Sequence, residues 1–166
     1  IDFLRSHPVI EMNTIFKNAR WKIFSVMVLT EPDSSNNEFD YTQAVFTDEE
    51  DFLSFAQQIQ KRSLYTLPEG AADIDQGDFL LLLSTDFEDE AKFSGARLVV
   101  AARQIRLGEP DRVDFDDISF NYNAIMPSQW QGSLGDNAQR VTNASTANYT
   151  TSEQAPTSTS SLSESV

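Results

Sequence analysis

A chain of 166 residues has room for one domain of ordinary size, and its 40% apolar content is unevenly spread, with almost no large apolar residue beyond Trp130. The formal net charge of −14 excludes the clustered Lys and Arg of a nucleic-acid binder and argues against docking on anionic lipid; an acidic surface serves solubility. With no cysteine there is no disulfide, thiolate metal site or thiol nucleophile in these residues, and the single histidine, His7, is too few for a histidine metal cluster.

Asp2 to Ser6 reads as a last helical turn that ends before Pro8, because proline disfavours helical geometry in the residue ahead of it. Val9 to Phe16 is expected to be a short, irregular strand, followed by a turn at Lys17-Asn18-Ala19. In Arg20 to Leu29, strict alternation puts Phe24, Val26 and Val28 on one face and Trp21, Ile23, Met27 and Leu29 on the other, with Ser25 among the latter. Apolar side chains on both faces predict a central strand covered on both sides. Glu31 to Glu38 is loop by composition, and Phe39 to Phe46 is expected to be a short strand.

Thr47-Asp48-Glu49-Glu50 has the form of a capping box with Thr47 as N-cap. The helix that follows, Asp48 to Arg62, carries Phe52, Phe55, Ala56 and Ile59 on one stripe, with acids at its start and Lys61-Arg62 at its end, as the helix dipole prefers. Ser63 to Asp78, with Pro68, Gly70 and Gly77, reads as an extended connection anchored by Ile74. Two apolar runs, Phe79 to Leu83 and Leu98 to Ala102, are too short to span a membrane and predict buried strands. The polar stretch between them, from Ser84-Thr85-Asp86 through Glu88-Asp89-Glu90 to Ser94-Gly95-Ala96-Arg97, is where a rigid scaffold places chemistry.

Asp111 to Asn123, acidic with scattered aromatics, is expected to lie along the surface. From Gln131 the Ser/Thr/Asn-rich chain cannot bury enough apolar area to offset its ordering entropy and is expected to be disordered. Two matches to the glycosylation acceptor pattern there, at Asn143 and Asn148, are chance-level in such a composition. No internal repeat, signal peptide or membrane-spanning run is visible.

Four stretches carry a family resemblance: Ser6-His7-Pro8-Val9-Ile10; Trp21 to Val26; Phe46 to Phe55 continuing into Lys61-Arg62-Ser63-Leu64-Tyr65; and Leu82-Leu83-Ser84-Thr85 followed by Ala96 to Val100. Together, over residues 1 to 107, they resemble the C-terminal part of a class B sortase, a family of cysteine transpeptidases that attach surface proteins to the cell wall or pili of Gram-positive bacteria. The resemblance implies a mainly β fold with one or two helices, a sortase-like antiparallel β-barrel whose N-terminal strands are missing from this chain. It divides the chain into the C-terminal part of the barrel at 1–108, an acidic surface extension at 109–130 and a Ser/Thr-rich tail at 131–166.

In that family a cysteine follows the Ser-Thr at the strand end and attacks the sorting-signal carbonyl. A histidine from an upstream segment serves as general acid, and an arginine opening the next strand holds substrate or oxyanion. Carried over, the cysteine position is Asp86 and the arginine is Arg97, with Ser84, Thr85 and Arg97 on the substrate-binding surface. His7 matches a His-Pro pair that is structural in the family. The separation of Asp86 from Arg97 is a few residues longer than the family's spacing. The resemblance therefore implies a catalytically inactive sortase-like protein that binds a sorting-signal peptide or a surface protein on the outer face of a bacterial membrane or cell wall. It implies no cofactor, no nucleic acid, and membrane attachment only through an N-terminal anchor absent from this chain. The alternatives are a transpeptidase active only in a longer chain with a rearranged site, or a truncated fragment without function.

If the barrel brings Asp86 and Arg97 together, the carboxylate and the guanidinium should pair. The acidic residues Asp86, Glu88, Asp89 and Glu90 match no calcium-loop spacing and read as a solvated loop, and no metal site is expected. Two carboxylates this close in a loop do not make a glycosidase pair. Trp21 reads as core, and Trp130 as folding back onto the domain.

Overall fold

The computed structural model describes residues 1–15, 17–30, 39–68, 70–71, 73–87 and 95–128. Its framework is a four-stranded antiparallel sheet in the order β1-β2-β5-β4, formed by β1 (Val9–Asn13), β2 (Asn18–Thr30), β4 (Leu80–Asp86) and β5 (Ala96–Gln104). A two-stranded pair, β3 (Tyr65–Thr66) with β6 (Ser119–Phe120), and two helices, α1 (Asp2–Ser6) and α2 (Glu49–Lys61), complete it. The chain adopts the expected mainly β class, and of the one or two helices expected it forms two.

α1 ends where expected: the His7 N–H donates to Phe3 O, and Pro8 begins the run into β1. β2 is the central strand, and every residue from Trp21 to Thr30 is buried. Its two faces are not those that strict alternation assigns, because the pairing with β5 slips by one residue between Ile23 and Ser25. This bulge at Phe24 turns the later residues over. Trp21, Ile23, Val26 and Val28 therefore share one core cluster, and Phe24, Met27 and Leu29 the other.

α2 covers the second cluster through Phe55 and Ile59, and Ser25 Oγ donates to Ile59 O at 3.2 Å. Its N-cap is Asp48, one residue later than the sequence suggests: Asp48 Oδ1 accepts from the Asp51 N–H, and the Asp51 carboxylate reaches back to the Thr47 N–H. The capping box is thus built from two aspartates, and the Thr47 hydroxyl reaches only Asp51 Oδ2 at 3.3 Å. The Thr47 N–H lowers the carboxyl pKa of Asp51.

Three further expectations are corrected. Phe39 to Phe46 forms no strand; it crosses the α2 side of the sheet as irregular chain, with Phe39, Tyr41 and Phe46 packed onto the second cluster. The Leu80–Leu83 run is not a buried strand, because β4 lies at the edge of the sheet; its leucines are half-buried at best, and Leu83 is 43% exposed. Residues 111–123 do not merely lie on the surface: Phe115 and Ile118 are buried beside Leu4, Trp21 and Tyr65 in the first cluster. The other apolar strand, β5, is buried as expected, and Ile74 packs on the second cluster. Glu88–Ser94 and everything from Gln129, including Trp130 and the tail, lie outside the described residues.

Candidate functional site

The candidate site assigned from the sequence lies where β4 ends and β5 begins. Asp86 and Arg97 are opposite one another across the antiparallel ladder, and Arg97 Nη1 meets Asp86 Oδ1 at 2.7 Å. The Phe87 N–H donating to Ala96 O at 2.9 Å holds the strands in register one step further. Gly95, at φ +84, supplies the left-handed backbone that leads the chain into β5. The expected carboxylate–guanidinium pairing is thus present. Asp86 is 75% exposed, so the pair contributes about 1 kcal/mol or less to stability.

Alternation along β4 places Leu80, Leu82, Ser84 and Asp86 on the α2 face, and Thr85 on the opposite one. The Ser84 hydroxyl lies 3.4 Å from Tyr41 Oη. Beyond it the same face opens into a cleft of about 550 Å³ between the 41–46 segment, α2 and β4, with walls that include Tyr41, Phe46, Phe52, Phe55, Leu80 and Leu82. Asp86 stands four residues along the strand from Leu82, roughly 13 Å away. An apolar trough therefore leads along one strand face towards a paired charge. Of the residues assigned from sequence, Ser84, Asp86 and Arg97 share this face, and Thr85 does not. The trough was not foreseen, because its aromatic wall belongs to a segment that reads as a strand.

Comparison with known proteins gives structure but no sequence relative: no protein-family model matches the chain, and no curated protein matches it. Among solved structures, sortase B of Staphylococcus aureus is similar at 23% identity and a TM-score of 0.50, over 63% of this chain and 45% of that one. A mutant form of Clostridium perfringens sortase B is similar at 25% identity and a TM-score of 0.52, over 63% of this chain and 46% of that one. The chain has a class B sortase fold. The sortase-like sheet is a curled antiparallel half-barrel, and the chain spans less than half the length of the sortases it matches. A S. aureus sortase B–substrate complex is also similar, at 22% identity and a TM-score of 0.50, over 64% of this chain and 45% of that one.

At the other end of β5, about 20 Å from Arg97, the sortase-like sheet holds a second charged cluster that sequence reading missed. Arg103, 1% exposed, clasps Glu109 with both Nη atoms at 2.7 and 2.8 Å, and Lys22 Nζ joins Glu109 at 2.6 Å. Arg106 grips Asp78 through Nε and Nη2 at 2.8 and 2.6 Å. The Arg103 guanidinium, with Lys22, holds the Glu109 carboxyl far below the usual carboxylate range. Burial raises the Asp78 pKa, but hydrogen bonds from Arg106 and from the Asp75 N–H outweigh it and leave that carboxyl lowered. The available signal was a cation inside each of two apolar strands, since a buried Lys or Arg requires a carboxylate partner.

His7 is exposed, stacked on Phe3 with ring centroids 4.6 Å apart, and its Nδ1 lies 3.3 Å from Phe3 O, contacts that belong to the end of α1. Trp21 is core, as expected. Among the described residues no group of three or more His, Cys, Asp or Glu could hold a metal ion.

Proposed function

We propose that this chain is a sortase-fold binding module without the thiol chemistry of the sortases, which holds an extended sorting-type peptide or a surface protein at the outer face of a bacterial membrane or cell wall. The observation that carries the reading is the 2.7 Å pair between Arg97 and Asp86, the residue that stands at the position where the resemblance expects the cysteine. A carboxylate bound to that guanidinium is a poor acyl-transfer nucleophile, and the 166 residues contain no thiol to replace it. The cleft beside it supplies apolar walls for alternate side chains of an extended peptide.

Fluorescence anisotropy with a labelled sorting-signal peptide tests the binding. Saturable binding is expected. Ala44→Trp, which adds an indole to an exposed wall of the cleft, should abolish binding while leaving the circular dichroism unchanged. No binding by the unmodified chain, or binding indifferent to Ala44→Trp, contradicts the reading.

A further inference from the structure

The strand face that leads out of the cleft ends on a carboxylate, and the chemistry of that carboxylate selects what lies beside it. Asp86 meets Arg97 through Oδ1, and its side chain is 75% exposed against 30% for that of Arg97. The accessible member of the pair is therefore the acid, so an arriving group meets negative charge first. An accessible carboxylate accepts charge-assisted hydrogen bonds from Lys or Arg and repels an anion.

The cleft repeats that preference. Its walls include the rings of Tyr41, Phe46 and Phe52, and aromatic faces attract cations as well as apolar groups. Phe46 and Phe52 flank the acidic start of α2, where Asp48 is the cap and Glu49, Glu50 and Asp51 fill the first turn. Two cations at the Phe79 end are already engaged: Lys17 Nζ lies 5.7 Å over the Phe79 ring and donates to Gln104, and Arg106 grips Asp78.

The spacing is set by the strand. Leu82 and Asp86 are four residues apart on one face, and an extended peptide has the same rise and alternation. A side chain seated against Leu82 and one facing Asp86 are therefore four residues apart in the peptide and point the same way. Midway, the Tyr41 and Ser84 hydroxyls, 3.4 Å apart, form a polar step suited to a small side chain or a peptide backbone group.

Building on the proposed peptide-binding role, we infer that the peptide is cationic, with a Lys or Arg four residues from the apolar side chain seated against Leu82, and that Asp86 selects it. The position where the resemblance expects a nucleophile acts as a specificity determinant.

Fluorescence anisotropy of the whole chain with three labelled peptides tests the inference. All carry two leucines at alternate positions; the first has a lysine four residues from the nearer leucine, the second a glutamate there, and the third a lysine moved by one residue. The first is expected to bind about tenfold more tightly than the second, a difference that shrinks as salt is raised. The third should lose most of the advantage, because its lysine points to the opposite side. Asp86→Asn should remove the discrimination and Asp86→Lys should reverse it, with the circular dichroism unchanged. Equal affinity for all three peptides overturns the inference and leaves peptide binding standing, whereas no binding of any peptide overturns both. A lysine preference that ignores position, or that survives both variants, belongs to the net charge of −14 and also overturns it. The position dependence in the unmodified chain decides even where a variant fails to fold.

Discussion

At the scale of single residues, two charged clusters at opposite ends of β5 carry different weights. Asp86 and Arg97 pair at an exposed strand end, so Asp86→Ala should lower stability by no more than about 1 kcal/mol in urea denaturation. Glu109, itself partly exposed, is the common acceptor of the buried cations Arg103 and Lys22. Glu109→Gln removes the negative charge shared by two buried cations and should cost about 3 kcal/mol by the same measurement.

The pH dependence follows from the same carboxyl. Its folded-state pKa lies below its unfolded one, so its contribution is fully present above the ordinary Glu value of 4.5 and is lost as pH falls below that value. Denaturation midpoints followed down from pH 6 should decline, and Glu109→Gln should flatten the decline; a variant profile parallel to the parent's would contradict this assignment. The pairing of Asp86 with Arg97 was legible once the Ser84-Thr85 and Ala96-Arg97 stretches were set beside the sortase pattern. The Glu109 cluster was not, because strand register alone sets Lys22 beside Arg103, and turns outside the strands bring Asp78 and Glu109 to them.

At the scale of elements, the clearest lessons come from α2 and β2. The helix was legible from its stripe and its acidic start, yet the cap moved by one residue because an aspartate can perform both halves of a capping box. Asp48→Ala should therefore cost about 1 kcal/mol in thermal or urea denaturation, and Thr47→Ala clearly less. Equal losses would restore Thr47 as the cap. In β2 the run of apolar residues announced a central strand, but the bulge at Phe24 has no composition signal and reversed the faces assigned to Val26 through Leu29. β4 was misread for a related reason: five consecutive apolar residues resemble a buried strand, and only the topology reveals that this one is an edge.

At the scale of the molecule, the mainly β chain with its two helices has the class B sortase fold that the four matching stretches had suggested. What sequence alone did not convey is how the parts cooperate. The 109–128 segment contributes Phe115, Ile118, Ala124 and Met126 to the first cluster, so it helps hold the sheet on the face opposite α2. The irregular 41–46 segment, on the α2 face, turns the flank of β4 into a trough. Both effects arise from long-range packing of chain that has no periodicity of its own. The trough, the Asp86–Arg97 pair at its end and the absence of a thiol from these residues are the observations on which the proposed peptide-binding role rests.

The most direct measurement of that claim is to incubate the unmodified chain with a fluorogenic sorting-signal peptide and follow both release of the fluorophore and the mass of the peptide. The account predicts an intact peptide and a signal no higher than the buffer blank, at peptide concentrations where anisotropy shows the binding saturated. Cleavage above the blank that scales with protein concentration and disappears in Arg97→Ala would contradict it.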